Sequence, residues 1–195
     1  AKRGAYMEEA APAGSGKMVA VLNTSVEVIE EACQKASELG VVTPANYNTP
    51  AQIVIGGEVA AVDRAVELLQ EAGAKRLIPL KVSGPFHTAL LEPASQKLAE
   101  TLAQVSFSDF TCPLVGNTEA TVMKKEDIAQ LLTRQVKEPV RFYESIGAMQ
   151  EAGVTNFIEI GPGKVLSGFV KKIDKTAKLA NVEDQASLEA LLENK

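Results

Sequence analysis

The 195-residue chain has no tryptophan, one histidine and two cysteines, and aromatic residues make up only 5% of it. Each scarcity removes a class of function. A lone histidine among scattered carboxylates forms no ligand cluster, so no metal centre is expected. Cys33 and Cys112 lie far apart and no second pair exists to build a disulfide framework. Both read as buried free thiols of a reducing compartment in preference to a disulfide, Cys33 on the apolar face of a helix and Cys112 opening a strand. No signal peptide occurs, nor any apolar run of the roughly 18 residues that would span a bilayer, so the cytoplasm is the default location and no membrane partner is expected. The net charge is −5 and no Lys/Arg-rich run offsets it, which argues against nucleic acid as a partner.

What is present is ordinary for a globular chain of one or two domains: 46% hydrophobic and 23% charged residues. With so few aromatics, the core must be built from Ala, Val, Leu and Ile. Residues 2–10 read as the end of a helix, broken by Pro12 and Gly14-Ser15-Gly16. A short strand over 17–22 is followed by a capping box at Thr24 and Glu27. It opens a helix with Val26, Ile29, Cys33, Ala36 and, less regularly, Leu39 at helical spacing. Strands over 41–48 and 52–56 form a hairpin through Thr49-Pro50-Ala51. A helix over 59–72 stops at Gly73, and a strand runs over 76–82. This strand-helix-strand-strand-helix-strand order is the ferredoxin-like pattern. It defines a compact subdomain over 17–82, its two helices covering one face of an antiparallel sheet.

Beyond residue 82 helix and strand alternate, the signature of a parallel sheet flanked by helices. Helical stripes run through Leu91, Ala94, Leu98 and Leu102, through Ile128, Leu131, Leu132 and Val136, and through Val140, Tyr143, Ile146 and Met149. Short strands are expected over 112–116, over 156–160 as a buried-type strand, and over 178–182. The fold class is therefore α/β. Residues 1–16 read as a helix end and linker, and 83–195 as part of a larger subdomain.

The single histidine, His87, stands where an apolar strand gives way to an amphipathic helix, in Gly84-Pro85-Phe86-His87. A junction of this kind holds a side chain rigidly while letting it face a cleft. Histidine is suited to proton transfer near neutral pH, although helix capping or partial burial would also explain a histidine here. Gly161-Pro162-Gly163-Lys164 lacks the spacing and the following Ser/Thr of a phosphate loop, and reads as a tight turn capping the helix after it.

Gly84-Pro85-Phe86-His87 resembles the histidine motif of the malonyl-CoA:acyl carrier protein transacylases of fatty acid biosynthesis. Further motifs follow in that family's order: Arg3-Gly4-x-x-Met7; Asn46-x-Asn48-x-Pro50-x-Gln52-x-Val54-Ile55-x-Gly57; Ala74-Lys75-Arg76; Arg134-Gln135 with Pro139-Val140; and Glu159-Ile160-Gly161-Pro162-Gly163. They spread over nearly the whole chain. The resemblance implies a ferredoxin-like subdomain inserted in a larger α/β-hydrolase-like subdomain with a parallel sheet. The implied reaction moves a malonyl group from coenzyme A to a serine, then to the phosphopantetheine thiol of acyl carrier protein, with malonyl-CoA and the carrier as substrates and no cofactor.

The resemblance also implies roles for individual residues. His87 is the general base, and the backbone carbonyl of Gln135 orients it, although Gln135 also reads as an exposed helix residue. Arg3 anchors the malonyl carboxylate, and Met7 lines the same wall. Phe86 fills the space an α-methyl group would need, or simply packs in the core. Asn46 and Asn48 line the cleft, unless Asn48 only satisfies the hairpin. Lys75 and Arg76 steer the acidic carrier, or are a solvated strand start. The family's nucleophilic serine sits in a Gly-His-Ser-x-Gly elbow ahead of the arginine motif, and no Gly-x-Ser-x-Gly occurs here. The chain is thus expected to be the C-terminal portion of an enzyme that is monomeric when complete and inactive without its nucleophile segment. The alternative is a non-catalytic fragment or pseudoenzyme that binds carrier protein or an acyl ligand.

Overall fold

Two nearly continuous apolar runs set the centre of a sheet. In the computed structural model, which describes residues 2–82 and 84–193, helix α1 (Lys2–Ala10) leads into β1 (Lys17–Leu22), and β3 (Gln52–Gly57) pairs with β1 along its whole length. Strands covered on both faces need no polar alternation, and the four inner residues of β1 are all buried. The edge strands are β2 (Val42–Thr49) and β4 (Arg76–Pro79), giving an antiparallel sheet in the order β2-β3-β1-β4. Both edges carry a proline, Pro44 and Pro79, which a central strand would not tolerate.

Helices α2 (Val26–Ala36) and α3 (Val59–Glu71) cover one face of this sheet. Ile29, Cys33, Val62, Ala65 and Leu69 pack there on Val19, Val21, Ile53 and Ile55. The other face presents Met18, Ala20, Ala45 and Val54, with Phe86 laid against them. The capping box at Thr24 and Glu27 does not form. Ser25 is the N-cap, and the Thr24 hydroxyl reaches back toward the Leu22 carbonyl at 3.5 Å. Thr24 belongs to the turn leaving β1, where Asn23 adopts a φ of 55° and donates its N–H to Ala51.

The remaining elements are α4 (Glu92–Leu102), α5 (Ile128–Gln135), α6 (Phe142–Glu151), β5 (Asn156–Ile160), α7 (Val165–Ile173), β6 (Lys178–Val182) and α8 (Gln185–Glu193). β5 and β6 are parallel neighbours joined through α7. α1 packs on α4 through Met7, Ala11, Leu91, Ala94 and Leu98, with Val136 closing the cluster. The two halves join at the free edge of β2. There Val140 donates to Ala45 at 2.9 Å and accepts from Tyr47 at 2.8 Å. Val140 is therefore a strand partner, and its helix starts two residues later, at Phe142.

Two expected strands come out differently. Residues 112–116 form no strand; their only pairing among the described residues is a bridge between Val115 and Val122, flanked by Met123 donating to the Leu114 carbonyl at 2.8 Å and Gly116 donating to the Thr121 carbonyl at 3.0 Å. β5 forms, but it is not a buried-type strand: Ile158 is 51% and Ile160 82% exposed. It has β6 on one side and no described strand on the other.

The thiols differ for the same reason. Cys33 is buried, and desolvation first, with the nearby Glu30 charge second, pushes its pKa up to about 12. Cys112, expected to be buried, is exposed. Only thiolates alkylate readily, so iodoacetamide on the native chain should add one group at Cys112 and leave Cys33 intact until the chain unfolds. Equal labelling rates at both, read by peptide mass, would contradict the packing of α2.

Candidate active site

The loop carrying His87 is held at several points. Leu80 continues the β4 pairing by donating to the Met18 carbonyl at 2.9 Å. Gly16 lies so close to this loop that a Cβ on it would come 2.5 Å from Pro85 Cγ, and only glycine admits the proline ring there. Thr88 is fully buried and its hydroxyl donates to the Pro85 carbonyl at 2.7 Å. Between these anchors His87 adopts a φ of +60°. A non-glycine residue in the left-handed region costs about 1–2 kcal/mol, so the surrounding contacts impose the conformation and aim the ring.

The half-buried imidazole points at the end of α5. Its Nδ1 donates to the carbonyl oxygen of Gln135 at 2.8 Å. A carbonyl only accepts, so Nδ1 carries the proton and Nε2 is left with its lone pair. The Gln135 oxygen is available because the last four carbonyls of a helix lack intrahelical partners. Ser95 of α4 meets the same need one turn earlier, donating its hydroxyl to the Thr133 carbonyl at 2.9 Å. Burial is the largest influence on the His87 pKa and lowers it below the ordinary histidine value. The Gln135 backbone pushes the other way, the Arg3 charge lowers it further, and the Glu138 backbone raises it slightly. The net effect lowers the His87 pKa, which favours the neutral ring.

Arg3 lies on the exposed side of α1, near enough for its charge to act on His87. It makes no ion pair among the described residues. Met7, one turn further on, is 8% exposed within the α1–α4 cluster, so it holds the helix that presents Arg3. Phe86 packs against two clusters at once, the α1–α4 cluster and the open face of the sheet. Tyr47 faces the helix side of the sheet. β2 is irregular on either side of Tyr47, between Pro44 and Asn46 and between Tyr47 and Thr49, so Ala45 lies on the Phe86 face while Tyr47 does not. Alternation therefore assigns no face to Asn46 or Asn48, both of which are partly buried. The hairpin turn is satisfied by Thr49, whose hydroxyl accepts from the Ala51 N–H at 3.2 Å, and not by Asn48.

Lys75 and Arg76 are exposed at the start of β4, away from this group. Arg76 pairs with Leu22 at the far end of β1 from the Gly16–Pro85 contact, about 20 Å along the strand. The turn at Gly161-Pro162-Gly163 offers no phosphate cradle. The Glu159 carboxylate already accepts the Leu166 and Ser167 N–H groups at the start of α7, at 3.1 and 2.7 Å. Sequence reasoning missed Ser95 and Val140. The available signal for the first was its place on an apolar helix stripe, four residues after Leu91 and three before Leu98, and the structure buries it to 1% exposure. Val140 gave none, because β-bridges to distant residues leave no local pattern. Among the described residues no group of three or more His, Cys, Asp or Glu side chains is placed to hold a metal ion, and no helix is long and apolar enough to cross a membrane.

Compared with known families, residues 1–193 match the acyl transferase domain. The chain belongs to the acyl transferase family. Among its relatives, a malonyl CoA-acyl carrier protein transacylase of Bacillus subtilis (strain 168) is 47% identical over 194 residues, covering 98% of this chain and 61% of that protein. The Escherichia coli (strain K12) protein of the same name is 41% identical over 192 residues, covering 98% of this chain and 62% of its own length. Among solved structures, MCAT from Streptococcus pneumoniae superposes with a TM-score of 0.97 at 92% identity, covering all of this chain and 64% of that one. A malonyl-transacylase in complex with a type II polyketide synthase acyl-carrier protein gives 0.94 at 42% identity, covering 99% of this chain and 63% of that one. This acyl transferase chain thus spans about three fifths of the length of the relatives it matches.

Proposed function

We propose that this chain supplies the base and the carboxylate anchor of a malonyl-CoA:acyl carrier protein transacylase, and that the nucleophilic serine comes from a segment absent from it. The carrying observation is the 2.8 Å bond from His87 Nδ1 to the Gln135 carbonyl. It leaves an unprotonated Nε2 on a ring that also feels the Arg3 charge.

In the first half-reaction Nε2 takes the serine proton as the serine oxygen attacks the thioester carbonyl of malonyl-CoA. The C–S bond then breaks, the coenzyme A thiolate leaves, and the imidazolium returns the proton to it. The second half reverses these roles. Nε2 deprotonates the carrier's phosphopantetheine thiol, which attacks the seryl ester, and the proton goes back to the serine oxygen. Two exchanges through one covalent ester predict ping-pong kinetics. No cofactor takes part beyond the two substrates. Arg3 holds the malonyl carboxylate, Phe86 occupies the space of an α-methyl group, and Asn46 and Asn48 line the approach. Lys75 and Arg76 form the basic spot that meets the acidic carrier, which relates the reading to the carrier complex of the 42%-identical relative.

In this reading residues 17–82 are the ferredoxin-like subdomain, supported by the β2-β3-β1-β4 order. Residues 1–16 and 83–195 belong to a larger α/β-hydrolase-like subdomain, and the exposed β5 lies where further strands would add. The complete enzyme is a cytoplasmic monomer. The test is intact-mass measurement after mixing malonyl-CoA with this chain and a companion polypeptide carrying a Gly-x-Ser-x-Gly elbow. One malonyl group is expected on the companion and none on this chain. Malonylation of this chain, or of neither polypeptide, would overturn the assignment.

A further inference from the structure

The backbone N–H groups that follow α5 find carbonyls, and none of them goes to Gln135. Val136 donates to Thr133 at 3.3 Å, and Lys137 and Glu138 both donate to Arg134, at 3.1 and 2.9 Å. Val140 donates to Ala45 and Arg141 to Asn117, each at 2.9 Å. The Glu138 contact spans four residues, so the helical ladder runs on past the end of α5 to this point. Its next rung would join the N–H of residue 139 to the Gln135 carbonyl. Residue 139 is proline, which has no N–H. His87 Nδ1 occupies the acceptor that the missing rung leaves open, at 2.8 Å.

The proline also fixes where the chain goes next. In helical register its ring would meet the carbonyl four residues back, which is that of Gln135. The residue before a proline disfavours the helical region as well. The chain therefore turns out of the helix, and Val140 reaches the edge of β2 as a strand partner. Side chains brace this exit. Arg134 Nε donates to both Glu138 carboxylate oxygens, at 2.9 and 3.1 Å, its other nitrogen reaches Glu119, and Lys137 Nζ donates to Glu92 of α4. These ion pairs hold the turn, but they remove no donor from it. Only the residue type at position 139 does that.

We propose that Pro139 is a positioning residue for His87: by withholding the N–H that would bond Gln135, it reserves that carbonyl for the imidazole. The inference rests on the proposed transacylase reading and adds a residue to the machinery of the same site. A carbonyl oxygen has two lone pairs, so a backbone donor at position 139 would share it rather than evict the ring. The expected effect is therefore smaller than the loss of His87 itself. A shared acceptor holds the Nδ1 proton less firmly and lets the ring adopt its other neutral tautomer. In that form Nε2 carries the proton and is no base.

The test compares two variants of the complete enzyme: Pro139→Ala, which restores an N–H, and Pro139→N-methylalanine, which does not. Pro139→Ala should lower kcat by about three- to tenfold, the range for weakening one neutral hydrogen bond, and leave KM for malonyl-CoA at its parental value. Nitrogen-15 NMR of labelled histidine reads the ring directly, with the His87 signals assigned by their loss in His87→Asn. The parent should show the Nδ1-protonated tautomer and Pro139→Ala a mixture of the two. Pro139→N-methylalanine should restore both the rate and the single tautomer. Unchanged kcat and tautomer in Pro139→Ala, an N-methylalanine enzyme as impaired as the alanine one, or equal changes in kcat and KM would each overturn the assignment. So would an alanine variant that loses its fold, since Pro139 would then be merely structural. If the parent enzyme transfers no malonyl group at all, the transacylase reading fails, and the tautomer comparison still decides whether Pro139 reserves the carbonyl.

Discussion

In the complete enzyme, His87→Ala should lower malonyl transfer by about 10²–10⁴-fold, the usual contribution of a general base, while malonyl-CoA binding stays close to its parental value. The partner of the ring is the Gln135 carbonyl, at 2.8 Å. The loss should therefore appear in kcat rather than KM. Because His87 sits at a φ of +60°, alanine alone could act by disturbing the backbone. His87→Asn separates the two causes, since asparagine tolerates the left-handed region but is no base. Both variants should be equally inactive, and transfer near the parental rate in either would remove His87 from the chemistry. The pH profile gives a second check. Burial and the Arg3 charge outweigh the two backbone contacts that raise the histidine pKa. A depressed pKa keeps the base unprotonated to lower pH, so the acid limb of kcat/KM should lie below about 6.5. Removing the Arg3 charge should move that limb upward.

The sheet was legible because its signal is local. The apolar runs in 17–22 and 52–56, the helical spacing of Val26, Ile29, Cys33 and Ala36, and the turn residues Thr49-Pro50-Ala51 each mark one element and together its ferredoxin-like order. His87 stood out because there is no other histidine and because Gly-Pro punctuates the strand before it. What composition and periodicity could not give was the partner of the ring. Gln135 lies 48 residues away in sequence and contributes only a backbone carbonyl, which every residue has. The family resemblance alone pointed to it. Val140 was misread as helical because its apolar spacing with Tyr143 and Ile146 fits a helix. Its hydrogen bonds to Ala45 and Tyr47 override that pattern. Residues 112–116 failed in the opposite sense: strand-like residues there make a single bridge to Val122 and no strand, because propensity is weaker than context.

Arg3→Ala should cut kcat/KM for malonyl-CoA by about 10²–10³-fold, as expected for losing two charge-assisted hydrogen bonds to a carboxylate, and leave acetyl-CoA use unchanged or improved. α1 is well fixed for this task. Met7 is buried among Leu91, Ala94, Leu98 and Val136, and the Tyr6 hydroxyl bonds the Thr101 hydroxyl at 3.0 Å. The guanidinium is thus carried on a rigid support. It has no ion-pair partner among the described residues, so no internal competitor must be displaced when a carboxylate arrives. An acetyl group brings no such charge, and the arginine then gains nothing from the ligand, which is how an anchor becomes a filter. Arg3→Lys should recover only part of the malonyl rate, because an ammonium cannot form the planar, two-bond contact. A merely structural role for Arg3 would affect both acyl groups alike, and equal losses on malonyl and acetyl donors would rule out the anchor.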